Sequence, residues 1–184
     1  RQRQMCIRDS YEAALKSINK IKHPSTKILE AKQDILFQLG TQAFANVKLN
    51  DAVSLFSRAI QLGSYNMEAR NDAYFWRGES YYRMGEYENA ISDYRTYLNN
   101  TRQRNTDMYA LAYYNLGYSY FKLRDYSAAL NRFRQYVDLE SNQQAASLAD
   151  AYNRIGDCLY QNRQFSLAEE NYSCLLYTSD AADD

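Results

Sequence analysis

Histidine, proline and tryptophan are almost absent from this sequence, with one residue of each among 184. A histidine-based catalytic triad or a multi-histidine metal site can therefore be built only around His23. That residue precedes Pro24 at a predicted helix end, where histidine commonly interacts with terminal backbone carbonyls. The six glycines are isolated from one another and form no glycine-rich phosphate loop. We predict no catalysis, no metal site and no cofactor.

Neither sign of charge is in excess, since 22 Lys and Arg residues balance 22 Asp and Glu residues. A surface that binds nucleic acid usually needs several basic residues in contact with phosphates. We therefore predict that the chain binds no nucleic acid. Long apolar runs are missing as well, and no segment approaches the roughly 18 apolar residues of a membrane-spanning helix. Direct membrane insertion of this segment is not expected.

Both ends of the chain lack the pattern found between them. Residues 1–10 and 174–184 resemble translated sequencing-adapter read-through, so we expect them to be non-native, with genuine tails as the alternative. On this interpretation the gene is truncated at both ends, and the compartment stays open between a bacterial periplasm or cell envelope and the cytoplasm. Two of the three cysteines lie in these ends. The third, Cys158, is expected to be a buried thiol rather than a nucleophile.

What the sequence does contain is an internal repeat that is rich in tyrosine. The chain has 19 tyrosines. Four similar segments are centred on a glycine: LFQLGTQAF, YFWRGESYY, YYNLGYSYF and YNRIGDCLY, with the glycines at positions 40, 78, 117 and 156. An alanine follows twelve residues after each glycine, at positions 52, 90, 129 and 168, and an aromatic residue follows four later, at positions 56, 94, 133 and 172. Regular spacing of this kind is typical of repeat proteins.

Each repeat predicts two helices joined by a short turn, because apolar residues recur at spacings of three and four on both sides of the turn. We expect each glycine to mark a close crossing of the two helices, with the alanine of the second helix facing it. Gly85 is predicted to end its helix in a left-handed conformation. The predicted organisation is the second helix of a truncated repeat at 11–24, complete repeats at 25–64, 65–103 and 104–142, and a truncated repeat at 143–173.

These columns resemble the tetratricopeptide repeat, and the resemblance covers essentially all of residues 11–173. It implies an all-α fold in which antiparallel helix hairpins form a right-handed superhelix, a TPR-like α solenoid. Three features depart from the family: Leu or Tyr in place of Trp, Arg77 in place of Leu, and no closing proline. The period also exceeds the usual one by about one helical turn. Either a longer helix or a longer loop accounts for this excess. Tyr-rich repeats of this length are similar to those of large bacterial envelope proteins.

In the family, the first helix of each hairpin lines the concave face. The resemblance therefore implies that partners contact what we call the first-helix stripe, the residues six and three before each glycine and one, four and five after it. The predicted partner-binding residues are Phe37, Thr41, Phe75, Glu79, Tyr82, Tyr114, Tyr118, Lys122, Asn153 and Asp157. Alternatively, the aromatics four after each glycine (Phe44, Tyr82, Phe121 and Tyr160) pack against the following repeat. The acidic members (Asp34, Asp72, Glu79, Asp150 and Asp157) either bind a basic ligand or are simply solvated.

The sequence thus predicts a non-catalytic scaffold for protein–protein interaction, which binds a partner peptide or segment in the concave groove. The partner itself is not identified by any of these residues. One alternative is the recognition arm of a larger envelope protein or enzyme whose catalytic domain lies outside the fragment. Another is stacking of a sugar or single-stranded RNA on exposed tyrosines, which the balanced charge disfavours for RNA.

Overall fold

The computed structural model describes the backbone of residues 2–142 and 146–180, and the side chains of residues 9–142 and 146–172. Within these ranges the regular structure is entirely helical, as predicted. The helices are α1 (Gln2–Ile18), α2 (Thr26–Ala45), α3 (Leu49–Gln61), α4 (Met67–Met84), α5 (Tyr87–Asn100), α6 (Asp107–Lys122), α7 (Tyr126–Leu139), α8 (Ala146–Gln161) and α9 (Phe165–Asp180). None of the described helices is both long enough and apolar enough to cross a membrane.

The chain divides into two compact units, one ending at Asn100 and the other beginning at Thr101. In the first unit α2 pairs with α3 and α4 with α5, and α1 packs against α2. Its core includes Leu36 and Phe56, both essentially inaccessible. The proposed start of native sequence at residue 11 falls inside α1 and stays a prediction.

In the second unit α6 pairs with α7 and α8 with α9, and α7 packs against α8. Phe133, Tyr136 and Leu159 lie in its core. Short connections join the helices, of two residues between α4 and α5 and of six between α5 and α6. Connections of this length are ordinary for helical proteins. The proposed non-native segment 174–184 begins within α9, where the side chains lie outside the described residues.

The repeated glycines bring each first helix against an aromatic ring of the second. A Cβ atom at Gly40 would lie 2.6 Å from the Phe56 ring, and one at Gly117 would lie 2.9 Å from the Phe133 ring. The expectation that the alanine of the second helix faces the glycine stays a prediction. The alanine column is fully buried at Ala52, but the nearest atoms to the glycines belong to the aromatic column four residues later. A ring edge fills the space that a methyl group would need, so any larger residue must displace it.

The turn inside each hairpin has the same backbone geometry in all four repeats. The residue seven after the repeat glycine is left-handed, with φ of 60° at Val47, 81° at Gly85 and 62° at both Arg124 and Arg163. At the first turn the Val47 amide donates to the Phe44 carbonyl at 2.9 Å, and the next amide donates to the Ala43 carbonyl at 2.9 Å. These two bonds form a Schellman motif that closes the first helix. The left-handed end predicted at Gly85 is confirmed.

Candidate partner-binding site

The first-helix stripe in the first unit lies on α2 and α4. Phe37 and Thr41 are half-buried, and the Phe37 ring lies 5.9 Å from that of Phe56. Phe75 is only 2% exposed. Its ring packs against the rings of Tyr94 at 5.8 Å and Tyr97 at 5.3 Å, both on α5. The predicted exposure of Phe75 is therefore wrong, because α5 presents two tyrosines where that ring enters the core.

Glu79 is held by neighbours on two helices. Its Oε2 atom accepts a hydrogen bond of 2.9 Å from the Tyr94 hydroxyl of α5, and its Oε1 atom accepts one of 3.1 Å from Arg83 Nε. Tyr82 is half-buried beside Tyr87, with ring centroids 5.5 Å apart. Burial raises the pKa of Tyr82, so it stays a neutral hydroxyl that donates and accepts hydrogen bonds. Glu79 is thus a fixed carboxylate rather than a free one.

In the second unit two tyrosines of α6 meet one carboxylate of α8. The Tyr114 hydroxyl donates to Asp150 Oδ2 at 2.8 Å, and the Tyr118 hydroxyl donates to the same oxygen. The two rings lie edge to face with centroids 5.0 Å apart. Burial, followed by the bond to Asp150, raises the pKa of Tyr118 to about 12, and the same causes raise the pKa of Tyr114. Both hydroxyls therefore remain protonated donors, and both half-buried rings are fixed in orientation.

The network continues along α8 through Arg154. This guanidinium lies 3.6 Å from Asp150 through Nε and 2.5 Å from Asp157 through a terminal nitrogen. Asp157 also accepts a hydrogen bond of 2.7 Å from the Tyr172 hydroxyl of α9. We call Tyr114, Tyr118, Asp150, Arg154 and Asp157 the tyrosine–aspartate cluster. Two predicted binding residues flank this cluster: Lys122 is exposed at the end of α6, and Asn153 is half-buried on α8.

The first-helix aromatic residues four positions after each glycine were alternatively predicted to pack against the following repeat. Two of the four do so. Phe44 is 7% exposed and lies edge-on to Trp76 of α4 at 5.2 Å. Phe121 lies under the Arg154 guanidinium of α8 at 5.7 Å. Tyr160, by contrast, is 56% exposed. These contacts make Phe44 and Phe121 packing residues rather than free ligand contacts.

One polar pair of the first unit was missed from the sequence. The Arg77 guanidinium makes two hydrogen bonds of 2.7 Å to the two carboxylate oxygens of Asp93 on α5, and a third of 2.9 Å to the Ser57 hydroxyl of α3. Burial raises the pKa of the Asp93 carboxyl, against the lowering effect of the bonded Arg77. The sequence does contain a sign of this pair: Arg77 is a basic residue in an otherwise apolar column, and the acidic Asp93 follows sixteen positions later. Its location inside the hairpin makes it a packing element.

Asp34 and Asp72, at the start of the first-unit stripe on α2 and α4, have carboxyl pKa values that burial raises. Burial, with a smaller contribution from Glu68, raises the pKa of Asp72 to about 6. Burial also raises the pKa of Asp34, although a hydrogen bond of 2.6 Å from the Asn66 amide opposes the shift. Among the described residues, no group of three or more His, Cys, Asp or Glu side chains is arranged to hold a metal ion. The side chains on this stripe therefore offer hydrogen bonds, charge and aromatic surface.

Burial also determines the state of Cys158. The thiol is fully buried in the second-unit core, and burial raises its pKa to about 12. A thiol in this state is protonated and inaccessible, so it does not act as a nucleophile. The interpretation of Cys158 as a buried packing residue is confirmed.

Solved structures with a similar fold cover nearly the whole chain. BtubC (BKLC) from P. vanneervenii superimposes with a TM-score of 0.76 at 17% identity, over 100% of this chain and 77% of that one. The apo form of RapI gives a TM-score of 0.73 at 14% identity, over 96% of this chain and 64% of that one. MamA from Desulfovibrio magneticus RS-1 gives 0.68 at 15% identity, over 96% and 97% of the two chains. At these identities the similarity shows the fold alone.

Family models agree with the solved structures. Two models of the tetratricopeptide repeat match the chain, one over residues 69–139 and the other over residues 114–182. A search of curated protein sequences finds no significant match. The two matched segments together extend over more than half of the chain, and they include the glycine, alanine and aromatic columns of three repeats. The chain therefore belongs to the tetratricopeptide repeat family.

Proposed function

We propose that this chain is a non-catalytic interaction scaffold that binds a peptide or an extended segment of a partner protein along its first-helix stripes. The observation that carries the proposal is the pair Tyr114 and Tyr118, whose half-buried rings are fixed by bonds to Asp150. Aromatic side chains dominate the energetics of many protein interfaces. Rings that are already ordered lose less conformational entropy when a ligand binds.

The groups around these rings suit an extended peptide. Lys122 and Asn153 supply N–H donors for the backbone carbonyls that such a peptide leaves unpaired. In the first unit Phe37, Thr41 and Tyr82 are half-buried, and we propose a separate contact surface there. Glu79 belongs to the first-unit surface and Asp157 to the second-unit surface as oriented acceptors, while Phe75 is removed.

A peptide-selection experiment tests this proposal. The intact chain is used to select ligands from a phage-displayed library of random 12-residue peptides, and enriched peptides are measured by fluorescence anisotropy. A variant of the stripe combines Tyr118→Ala, Lys122→Ala and Asn153→Ala. The control combines Asn131→Ala, Arg134→Ala and Asp138→Ala on α7, all at exposed positions.

We expect the stripe variant to bind the selected peptides at least about tenfold more weakly, since loss of one aromatic anchor commonly costs more than about 1 kcal/mol. The control should bind as the wild type does, and circular dichroism should show both variants to be folded. Failure to select any peptide, or equal binding by a folded stripe variant, would refute the proposal.

A further inference from the structure

Gln33 is a fully buried amide on α2 whose hydrogen bonds reach the end of α3 and the start of α4. Its Nε2 atom donates to the Ala59 carbonyl at 2.7 Å and to the Gly63 carbonyl at 2.8 Å. Its Oε1 atom accepts a hydrogen bond of 2.6 Å from the Asn66 amide. Among the buried polar side chains that the structure describes, Gln33 is the one that reaches the next hairpin. One side chain of the first hairpin therefore holds the beginning of the second.

The groups that Gln33 binds are backbone groups that helix geometry leaves without partners. The last carbonyls of a helix and the first amides of the next have no partner within their own helix. Ala59 belongs to the last turn of α3, and Asn66 is the N-cap residue of α4. Gly63 lies between them, with a φ of 116°. Gln33 thus satisfies the two helix ends and the turn that joins them.

Asn66 is held to α2 a second time, through its side chain. Its Nδ2 atom donates to Asp34 Oδ1 at 2.6 Å, while its Oδ1 atom accepts a hydrogen bond of 3.0 Å from the Ala69 amide of α4. Gln33 and Asp34 are consecutive, so two neighbouring residues of α2 hold the backbone and the side chain of the residue that begins α4. We call Gln33, Asp34 and Asn66 the α2–α4 clamp.

The clamp belongs to the first unit and is not a general feature of the repeat. Seven residues before the next repeat glycine stands Asn71, whose shorter side chain contacts the Tyr97 carbonyl of its own hairpin at 3.5 Å. The same position is Ala110 in the third repeat and Ala149 in the fourth, and alanine has no amide. The second unit forms its hairpins without this residue, so a hairpin does not require it in order to fold. What the clamp adds is the placement of α4 on α2.

Small changes of direction at the start of α4 have large effects further along that helix. Tyr82 lies sixteen residues after Asn66, which is about 24 Å along an α-helix. A rotation of about 5° at Asn66 would therefore displace Tyr82 by about 2 Å. The groups of a binding site need to be held within about 0.5 Å of their productive positions. The direction of α4 thus matters for any ligand that contacts both helices.

We propose that Gln33 is a positioning residue of the first-unit surface. This surface consists of Phe37 and Thr41 on α2 and of Glu79 and Tyr82 on α4. Gln33 acts through Asn66, because it fixes the start of α4 on α2 and so keeps the two halves of the surface at a constant separation. The inference rests on the proposed scaffold function and concerns its first-unit surface. A surface that is ordered before binding loses less entropy when a ligand binds.

Peptides that contact both helices are the probes for this role. They are selected from the random 12-residue library with the full chain carrying the stripe variant, whose second-unit contacts are removed. Peptides whose affinity falls with Thr41→Ala and also with Tyr82→Ala are kept, since these contact α2 and α4 together. Peptides selected by the wild type that depend on Tyr118 serve as the comparison at the second unit.

Gln33→Met is the test variant, because it keeps the volume of the side chain and removes its hydrogen bonds. Ser80→Ala is the matched control: Ser80 is also buried, but its hydroxyl donates to the Trp76 carbonyl within α4 at 2.8 Å. Both variants lose buried hydrogen bonds, so a difference between them reflects the link to α2. Circular dichroism establishes that each is folded, and hydrogen exchange measured by NMR reports the Asn66 amide.

We expect Gln33→Met to bind the probe peptides about five- to tenfold more weakly and to exchange the Asn66 amide at least about tenfold faster. Ser80→Ala should change the affinity of the probe peptides by less than about twofold, and Gln33→Met should leave the second-unit peptides equally unaffected. If Gln33→Met does not fold, Asn66→Ser replaces it, because serine keeps the helix cap and loses the bond to Asp34. That variant should weaken the probe peptides about two- to fivefold.

Unchanged affinity of the folded clamp variant, or unchanged exchange at Asn66 in Gln33→Met, would overturn the positioning role and leave the scaffold standing. If no selected peptide depends on both Thr41 and Tyr82, the first-unit surface and the role of Gln33 fail together. Peptides that depend on Tyr118 would then still support the scaffold at the second unit.

Discussion

Replacing Val47 with glycine should make the protein more stable, although the substitution removes a side chain. Val47 has a φ of 60°, in the left-handed region that costs an L-residue roughly 1 to 2 kcal/mol and a β-branched residue most of all. Glycine avoids this cost but loses more conformational entropy on folding, by about 0.5 to 1 kcal/mol. The Val47 side chain is 71% exposed, so little apolar contact is lost. The expected net gain in the free energy of unfolding is about 0.5 to 1 kcal/mol.

Gly85 provides the reverse experiment at the equivalent turn. Its φ is 81°, and no atom lies within 4 Å of a Cβ built there. Gly85→Val should therefore destabilise the protein by about 1 to 2 kcal/mol through backbone strain alone. Urea denaturation measures both changes as shifts of the midpoint at constant slope. Val47→Ala is the control, because it shortens the side chain while keeping a Cβ atom. If Val47→Gly lowers the midpoint, or Gly85→Val leaves it unchanged, left-handed strain does not govern these turns.

Two further substitutions examine charge at buried positions. Asp72→Asn should raise the free energy of unfolding at pH 7.5, since burial raises the pKa of Asp72 to about 6 from an ordinary 3.8. The full shift would correspond to about 3 kcal/mol, and solvent screening of this partly exposed carboxylate reduces the expected gain to about 1 kcal/mol. The wild type itself gains stability as pH falls from about 6 towards 4, because Asp72 becomes protonated. The difference in stability between the wild type and Asp72→Asn should therefore vanish near pH 3.5. If thermal denaturation at that pH shows an undiminished difference, the raised pKa of Asp72 is contradicted. Arg77→Leu, which restores the family's usual residue, should cost about 3 kcal/mol by leaving Asp93 buried and unpaired, whereas adding Asp93→Ala should recover most of the loss. Equal stability of the single and double variants in urea would show that the pair is not coupled.

The hairpin architecture was predictable from the sequence because the glycine, alanine and aromatic columns repeat in register. Their packing was not, since spacing along a helix identifies a shared face but not the atoms that meet across it. Gly40 and Phe56 illustrate this limit: both belong to the repeat, yet only the structure shows that the Phe56 ring lies against the glycine.

The candidate site was only partly predictable for a related reason. The resemblance directed attention to Tyr114 and Tyr118, which the structure shows to share Asp150, and their role in binding stays a prediction. It gave no warning that Phe75 turns into the core between Tyr94 and Tyr97. The left-handed turns were recognised only at Gly85, because Val47 carries no sequence signal for that conformation. The repeat pattern alone thus does not reveal which residues make contacts far along the chain or adopt a strained backbone conformation.

The bond between Tyr94 and Glu79 has a counterpart in that between Tyr172 and Asp157, and the aromatic column alternates between Phe and Tyr along the four repeats. Where the second helix carries Tyr, the residue just after the glycine is Glu79 or Asp157, whose carboxylate accepts a hydrogen bond from that tyrosine. Where it carries Phe, at Phe56 and Phe133, that residue is Thr41 or Tyr118 and turns its hydroxyl elsewhere. A phenolic oxygen on the second helix is thus paired with a carboxylate on the first helix. Consecutive repeats are consequently not interchangeable, and the smallest unit that could be duplicated without disturbing this alternation is a pair of hairpins.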